Sequence, residues 1–327
     1  MSEWVPATLP VVANLRRLPA ARSWLDELPE LIEQVRRAYR LRLSPPLHGG
    51  SCSWVAPAEL PDGTPAIVKI GWPHPEMYGE PVALRLWNGR GAVRLLAHDP
   101  DRHALLLQRC QPGTELATDP APADDRLRAG CEVLRKLWQA PLPEPGDDIP
   151  RLAPVTAGWA DLAADRMARL RPGYDPGLVA DGIELLRTLP ATADRTVLLH
   201  GDANPGNILS TSAGTTAAST TAAGTTAAGS VGNGGWLAID PKPMVGDPAY
   251  DPWPLLEQID DPFTHSDPVR TLRRRLALLA DELELEPDRI RRWALARLVE
   301  WALWAAEHDD TPGGSEAMTS VGLLARA

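Results

Sequence analysis

Three oxygen-bearing side chains in this sequence stand at spacings that phosphoryl transfer uses. Asp202 closes the segment TVLLHGD, and Asn207 follows five residues later in ANPGNIL. In an Asp-x-x-x-x-Asn pair of this kind the carboxylate meets an acceptor hydroxyl while the amide helps to hold Mg2+. Asp240 closes a second short apolar run, WLAID, and offers that cation another hard oxygen. Lys69 lies in a third run, PAIVKI, where its ammonium must reach a partner or solvent because burying it unpaired is expensive. Glu80 comes eleven residues later in GEPVALRLWNG, which reads as a short helix. A strand lysine gripped by a glutamate on the next helix is a device for holding the α and β phosphates of ATP. Alone, these two would read as a surface lysine and a solvated glutamate. With Asp202, Asn207 and Asp240 downstream they read as a phosphate grip, and the five together imply an ATP-dependent kinase acting on a small molecule.

The elements that must position these groups follow from the texture of the chain. Residues 1 to 20 carry proline and no clear periodicity, so a loosely held arm is expected there. SWLDELPELIEQVRRAYRL has apolar residues at helical spacing, with Ser23 as its N-cap. Five short runs then alternate like strands: RLRLSPPL, SWVAPA, PAIVKI, AVRLLAHDP and RHALLLQRC. They predict a five-stranded antiparallel sheet. Gln108, Arg109, Cys110 and Gln111 end the last of them at the place where a hinge presents backbone groups to adenine. Beyond Pro112 the chain turns helical, which makes an α+β protein of two lobes, residues 1–111 and 112–327. Residues 210–235, STSAGTTAASTTAAGTTAAGSVGNGG, have almost nothing to bury and are expected to be a flexible excursion at a hairpin tip. DPWPLLEQI, DPVRTLRRRLALLADEL and EPDRIRRWALARLVEWALWAAEHD supply three C-terminal helices.

With 44% apolar and 23% charged residues the composition is that of a globular protein. A net charge of −10 argues against nucleic acid or an anionic membrane as partner and suits a cationic substrate. Cys52, Cys110 and Cys131 make neither a disulfide framework nor a zinc pattern. No apolar run is long enough to span a membrane, and LPAARSWLDELPE after Arg16-Arg17 is no secretion signal. A cytoplasmic monomer is expected.

HGDANPGNIL, AIDPKPMVGDPAYDPWPLL, PAIVKI and GAVRLLAHD resemble the aminoglycoside phosphotransferase family, and within it the streptomycin 6-phosphotransferase and hydroxyurea-kinase branch. The resemblance runs from about Ser23 to about Asp310, apart from the low-complexity insert. It implies a protein-kinase-like fold with a small antiparallel-sheet lobe and a larger helical lobe, and transfer of the γ-phosphate of ATP to an antibiotic hydroxyl. It also implies Asp202 as the catalytic aspartate, Asn207 and Asp240 as Mg2+ ligands, and Lys69 with Glu80 as the phosphate-gripping pair. The family's usual HGDLHPGN departs here at Ala203 and Asn204. An aminoglycoside needs an acidic acceptor cleft, for which Asp251, Glu257, Glu300 and Glu307 are candidates, with Trp253 and Trp304 as cation–π faces. Hydroxyurea or another small hydroxylated metabolite is the alternative acceptor. A catalytically silent nucleotide-binding module is the reading from another class, disfavoured because all five key groups are present.

Closure entropy rises slowly with loop length. Excising residues 212–232 is therefore expected to leave the unfolding midpoint and turnover nearly unchanged; collapse of either would make the insert structural.

Overall fold

Strict alternation sorts the side chains of the first sheet onto two faces. The computed structural model, which describes residues 4–212 and 234–327, forms five antiparallel strands here: β1 (Arg42–Leu43), β2 (Ser53–Glu59), β3 (Pro65–Gly71), β4 (Leu95–Asp99) and β5 (Ala104–Gln108). Their order is β1-β2-β3-β5-β4, so β3 is central, and Lys69 faces Val55 on one side and Leu105 on the other. Ala66, Val68 and Ile70 are buried on one face; Val68 and Ile70 join Trp54, Ala56 and Leu106 in packing against helices α1 (Pro10–Leu15) and α2 (Arg22–Ala38). Ile67 and Lys69 point the other way, and Leu105 and Leu107 share a core with Ala83, Leu84 and Trp87 of helix α3 (Gly79–Trp87). A lysine at this register cannot be an edge-strand surface residue.

The expected loose arm is instead part of the core. Val5, Leu9, Val11, Val12 and Leu15 are buried, since the outer face of the sheet would otherwise be bare on one side of α2. Ser23 does not cap α2; its hydroxyl binds Glu27 at 2.7 Å, one turn inside the helix.

The remainder is mainly helical: α4 (Ala123–Leu137), α5 (Leu152–Leu170), α6 (Pro176–Thr188), α7 (Trp253–Gln258), α8 (Pro268–Leu283), α9 (Pro287–Glu307) and α10 (Thr311–Leu324). Helix α9 is central and packs on α5, α6, α8 and α10 through Ile290, Trp293, Ala294, Leu298 and Ala302. Helix α10 was not apparent from the sequence. Asp310 caps it by accepting from Gly313 N–H at 3.0 Å, and Ala317, Met318, Val321 and Leu324 form its buried stripe.

Two ladders lie between sheet and helices. β7 (Val197–Leu199) pairs antiparallel with β10 (Met244–Gly246), and β6 (Pro112–Glu115) pairs with β8 (Ile208–Ser212), which pairs with β9 (Gly234–Ala238). β8 and β9 form a hairpin whose last described pair is Ser212 with Gly234. The core of the insert, 213–233, lies outside the described residues. The segments after β7 and after β9 run side by side, which brings 200–207 against 239–243. The protein-kinase-like α+β fold expected from the sequence is the one found.

Trp87 is fully buried at the end of α3 and stacks on His200 at 6.1 Å between centroids, joining the helix to the segment after β7. Trp87→Ala is expected to cost about 3–5 kcal/mol, read as a fall in the denaturant midpoint at unchanged m-value. A loss under about 1 kcal/mol would mean the site collapses freely around the gap.

Candidate active site

The backbone after β7 is fixed before any side chain is placed. The carboxylate of Asp251 accepts from His200 N–H at 3.0 Å and Gly201 N–H at 2.9 Å, and from the Trp138 indole at 3.0 Å. Gly201 adopts φ +80°, and a Cβ there would lie 1.9 Å from the carbonyl oxygen of Lys242, so glycine is required. The close approach lets Lys242 N–H donate to the His200 carbonyl at 2.9 Å. On the other side Ile239 N–H donates to the Asn207 carbonyl, also at 2.9 Å.

His200 completes the clamp. Asp202 N–H donates to its Nδ1 at 3.3 Å, so the ring proton sits on Nε2 and is donated to the Ile239 carbonyl at 3.1 Å. Burial keeps the ring neutral against the upward pull of Asp251 and Asp202.

Asp202 therefore projects from a rigid turn. Asn204 donates its side-chain N–H to Asp202 Oδ1 at 3.1 Å, and its amide oxygen accepts from Asn207 N–H at 3.1 Å. The departure from the family's usual residue at 204 thus supplies an orienting donor. Asn207 gives Nδ2–H to the Asp202 carbonyl at 3.0 Å, leaving its amide oxygen as an acceptor.

Lys69 ties the sheet to this centre. Its ammonium lies 2.6 Å from Glu80 Oε2 and 2.6 Å from Asp240 Oδ1. Burial opposes the charge, but Glu80 and Asp240 outweigh it and hold the lysine protonated. Lys69, ahead of the opposing effect of burial, holds the Asp240 carboxyl below its usual range. Gly79 makes the approach of α3 possible: a Cβ there would meet Pro243 Cγ at 2.9 Å, so the helix start nests on the segment carrying Asp240.

The donor set fits Mg2+. Asp240, half-exposed, keeps Oδ2, and Asn207 keeps its amide oxygen; both are hard oxygen ligands. Among the described residues no group of three or more His, Cys, Asp or Glu forms a metal cage. Magnesium commonly takes one or two protein oxygens and completes its shell with water and phosphate.

Other expected residues fall differently. Gln108 exchanges hydrogen bonds with Arg94, its N–H reaching the Arg94 carbonyl at 2.9 Å, and the Gln111 carbonyl is taken by Ser212 N–H at 2.7 Å. Gln111 therefore does not present that carbonyl to a nucleotide. Arg109 and Cys110 lie between them, and burial pushes the Cys110 thiol up to about 11. Asp251 is not an acceptor-cleft carboxylate: it is 1% exposed and both oxygens are engaged internally. Trp253 is buried edge-on against Phe263 and presents no open face. Glu307 is bound on both oxygens, by Arg166 at 2.8 Å and by Arg169. Glu300 uses Oε1 on Arg166 at 3.0 Å and keeps its other oxygen. Trp304 is exposed and stacks on His308 at 4.1 Å. Glu257 is partly buried, and burial raises its carboxyl above the ordinary range while Arg297 pulls it back. The sequence reading missed Lys242, whose ammonium lies 3.1 Å from Asp202 Oδ2. Its only signal was its place in DPKP, two residues beyond Asp240.

The profile of the aminoglycoside/hydroxyurea antibiotic resistance kinases matches residues 43–309. A streptomycin 6-kinase of Streptomyces glaucescens is 31% identical over 333 residues, spanning 100% of this chain and 98% of that protein. A hydroxyurea phosphotransferase of Kitasatospora aureofaciens is 32% identical over 329 residues, spanning 99% and 86%. Among solved structures, a choline kinase from Streptococcus pneumoniae superposes with a TM-score of 0.61 at 13% identity, covering 92% of this chain and 100% of that one.

A carboxyl whose folded pKa is raised gives stability that is present below its unfolded pKa and lost as pH rises through the folded value. Glu257→Gln is therefore expected to raise the melting temperature at neutral pH, with the gain vanishing below about pH 4. An equal gain at both pH values would show that burial of the charge is not the cause.

Proposed function

The chain belongs to the aminoglycoside/hydroxyurea antibiotic resistance kinase family, and from that premise we propose that it moves the γ-phosphoryl group of ATP to the 6-hydroxyl of streptomycin. The observation that carries the catalytic part is the double pairing of Lys69, at 2.6 Å to both Glu80 and Asp240. It joins the strand lysine to the carboxylate suited to a metal, and leaves the third ammonium N–H for phosphate.

In this reading Lys69 neutralises the α and β phosphates and Glu80 holds it in place. Asp240 and Asn207 hold Mg2+, which supplies positive charge to the triphosphate when bound. Asp202 accepts a hydrogen bond from the acceptor hydroxyl and aims its oxygen in line with the γ-phosphorus. Phosphoryl transfer asks little covalent chemistry of the protein, so alignment and charge neutralisation carry most of the acceleration. Backbone groups between β5 and β6 take the adenine.

The streptomycin acceptor is supported by the relative of that name over the whole chain and by two carboxylates that keep unspent capacity. Glu257 is held in a partly dry position with Arg297 and Gln258 as its neighbours, and Glu300 retains one oxygen. Guanidinium N–H groups donate strong, charge-assisted hydrogen bonds to such carboxylate oxygens. Trp304 adds an exposed ring for a cation. Hydroxyurea is the second reading, supported by the relative that carries that name at similar identity.

ADP release measured with streptomycin, hydroxyurea and no acceptor separates these readings. Streptomycin is expected to stimulate turnover most, with the product phosphorylated at the 6-oxygen by NMR; stimulation by hydroxyurea alone would overturn it in favour of the second. Asp202→Asn is expected to lower kcat by about 10²–10⁴ with ATP binding retained. Unchanged kcat would remove Asp202 from its role.

A further inference from the structure

The chain has 33 lysines and arginines, and only three are lysine: Lys69, Lys136 and Lys242. Elsewhere it uses arginine for positive charge. Lys136 is a helix residue paired with Glu132 one turn away. The other two each sit on a carboxylate of the active site, Lys69 on Asp240 and Lys242 on Asp202. A lysine ammonium is a compact point charge with three donors, whereas a guanidinium is a wide planar fork. In a chain that otherwise chooses arginine, both site cations are of the compact kind.

Lys242 is placed by backbone, not by chance. Its N–H is bound to the His200 carbonyl at 2.9 Å, and its own carbonyl fills the space that Gly201 vacates. From there the side chain reaches Asp202 Oδ2 at 3.1 Å while Asn204 holds Oδ1 at 3.1 Å. The side chain is 52% exposed, so solvent and a dissolved anion can reach it. Its charge also acts on Asp240, after the larger effect of Lys69. It thus pairs with the aspartate that meets the hydroxyl and exerts its charge on the one that suits the metal. The phosphoryl group in flight must pass between those two carboxylates. Lys69 is already engaged by Glu80 and Asp240.

We propose that Lys242 is a second phosphate-binding cation, keeping one N–H on Asp202 and turning another to an equatorial oxygen of the transferring phosphoryl group. The inference rests on the kinase reading of the site. In the step, the acceptor oxygen bonds to the γ-phosphorus as the bond from that phosphorus to the β–γ bridging oxygen breaks. ADP leaves with the electron pair, and the hydroxyl proton passes to Asp202. Charge spreads over the equatorial oxygens as this happens. A preorganised cation aimed there stabilises the transition state more than bound ATP, so it acts on kcat.

The test compares wild type, Lys242→Met and Lys242→Arg by calorimetry with Mg2+ and ADP, with and without aluminium fluoride as the mimic of the transferring group. Wild type is expected to bind ADP more tightly with the fluoride present. Lys242→Met should bind ADP within about twofold of wild type and melt normally, but lose about 10²-fold in fluoride-dependent tightening and a similar factor in kcat. Lys242→Arg, which returns the charge in the wrong shape, should recover about tenfold of that loss. Full tightening in the Met variant, an equal loss for ADP alone, or an Arg variant no better than Met would overturn the role. Absence of any tightening in wild type would instead overturn the kinase reading on which it rests.

Discussion

One buried carboxylate fixes the geometry of the active site. Asp251 takes the N–H groups of His200 and Gly201 and the indole of Trp138, all within 3.0 Å, with almost none of its surface exposed. Each of those donors would otherwise be buried without a partner, at about 1–3 kcal/mol apiece. The two backbone donors immediately precede Asp202, so satisfying them sets where the carboxylate proposed to meet the acceptor leaves the chain. Asp251 itself belongs to the later motif, fifty residues on. The same contact therefore locks the two chemistry-bearing segments together.

From that anchor the constraint spreads outward. His200 passes it to Asp202 and Ile239 through its two ring nitrogens, and stacks on Trp87 at the end of α3. Helix α3 presents Glu80 at its other end, and Glu80 holds Lys69 on the central strand of the sheet. Lys69 returns to Asp240, one residue beyond Ile239. The circuit joins sheet, helix and both loops, and its charge-assisted links at Asp251 and Lys69 lose most when one partner is removed. It explains how five groups dispersed over the sequence come to lie on one strand, one helix start and two adjoining segments.

Much of this was legible in the sequence, for physical reasons. Asp202, Asn207 and Asp240 sit where short apolar runs meet turns, Lys69 sits inside an apolar strand and Glu80 opens a helix, and their types leave few chemical options. The alternation of β2 to β5 gave the sheet. What failed to show was whatever depends on burial rather than type. Asp251 and Trp253 looked available because acidic and aromatic residues often line cationic sites, yet both are buried in the interior. Glu307 looked equally available but spends both oxygens on arginines from α5. Lys242 was invisible because its role depends on the clasp between Gly201 and its own backbone, which no local spacing encodes. Helix α10 hid behind Gly313 and Gly314, the latter needed because a Cβ would strike the Tyr174 hydroxyl and the Ala302 carbonyl. The N-terminal arm looked loose because its buried residues serve a sheet face formed by later sequence.

In the proposed mechanism Asp251 serves catalysis only through the placement of Asp202, and a double-mutant cycle on kcat tests this directly. Asp251→Asn alone is expected to reduce kcat, since one of the loop donors loses its acceptor. Combined with Asp202→Asn, it should add almost nothing to the loss already caused by the Asp202 change. Losses that multiply independently would show that Asp251 acts by another route and would contradict the account.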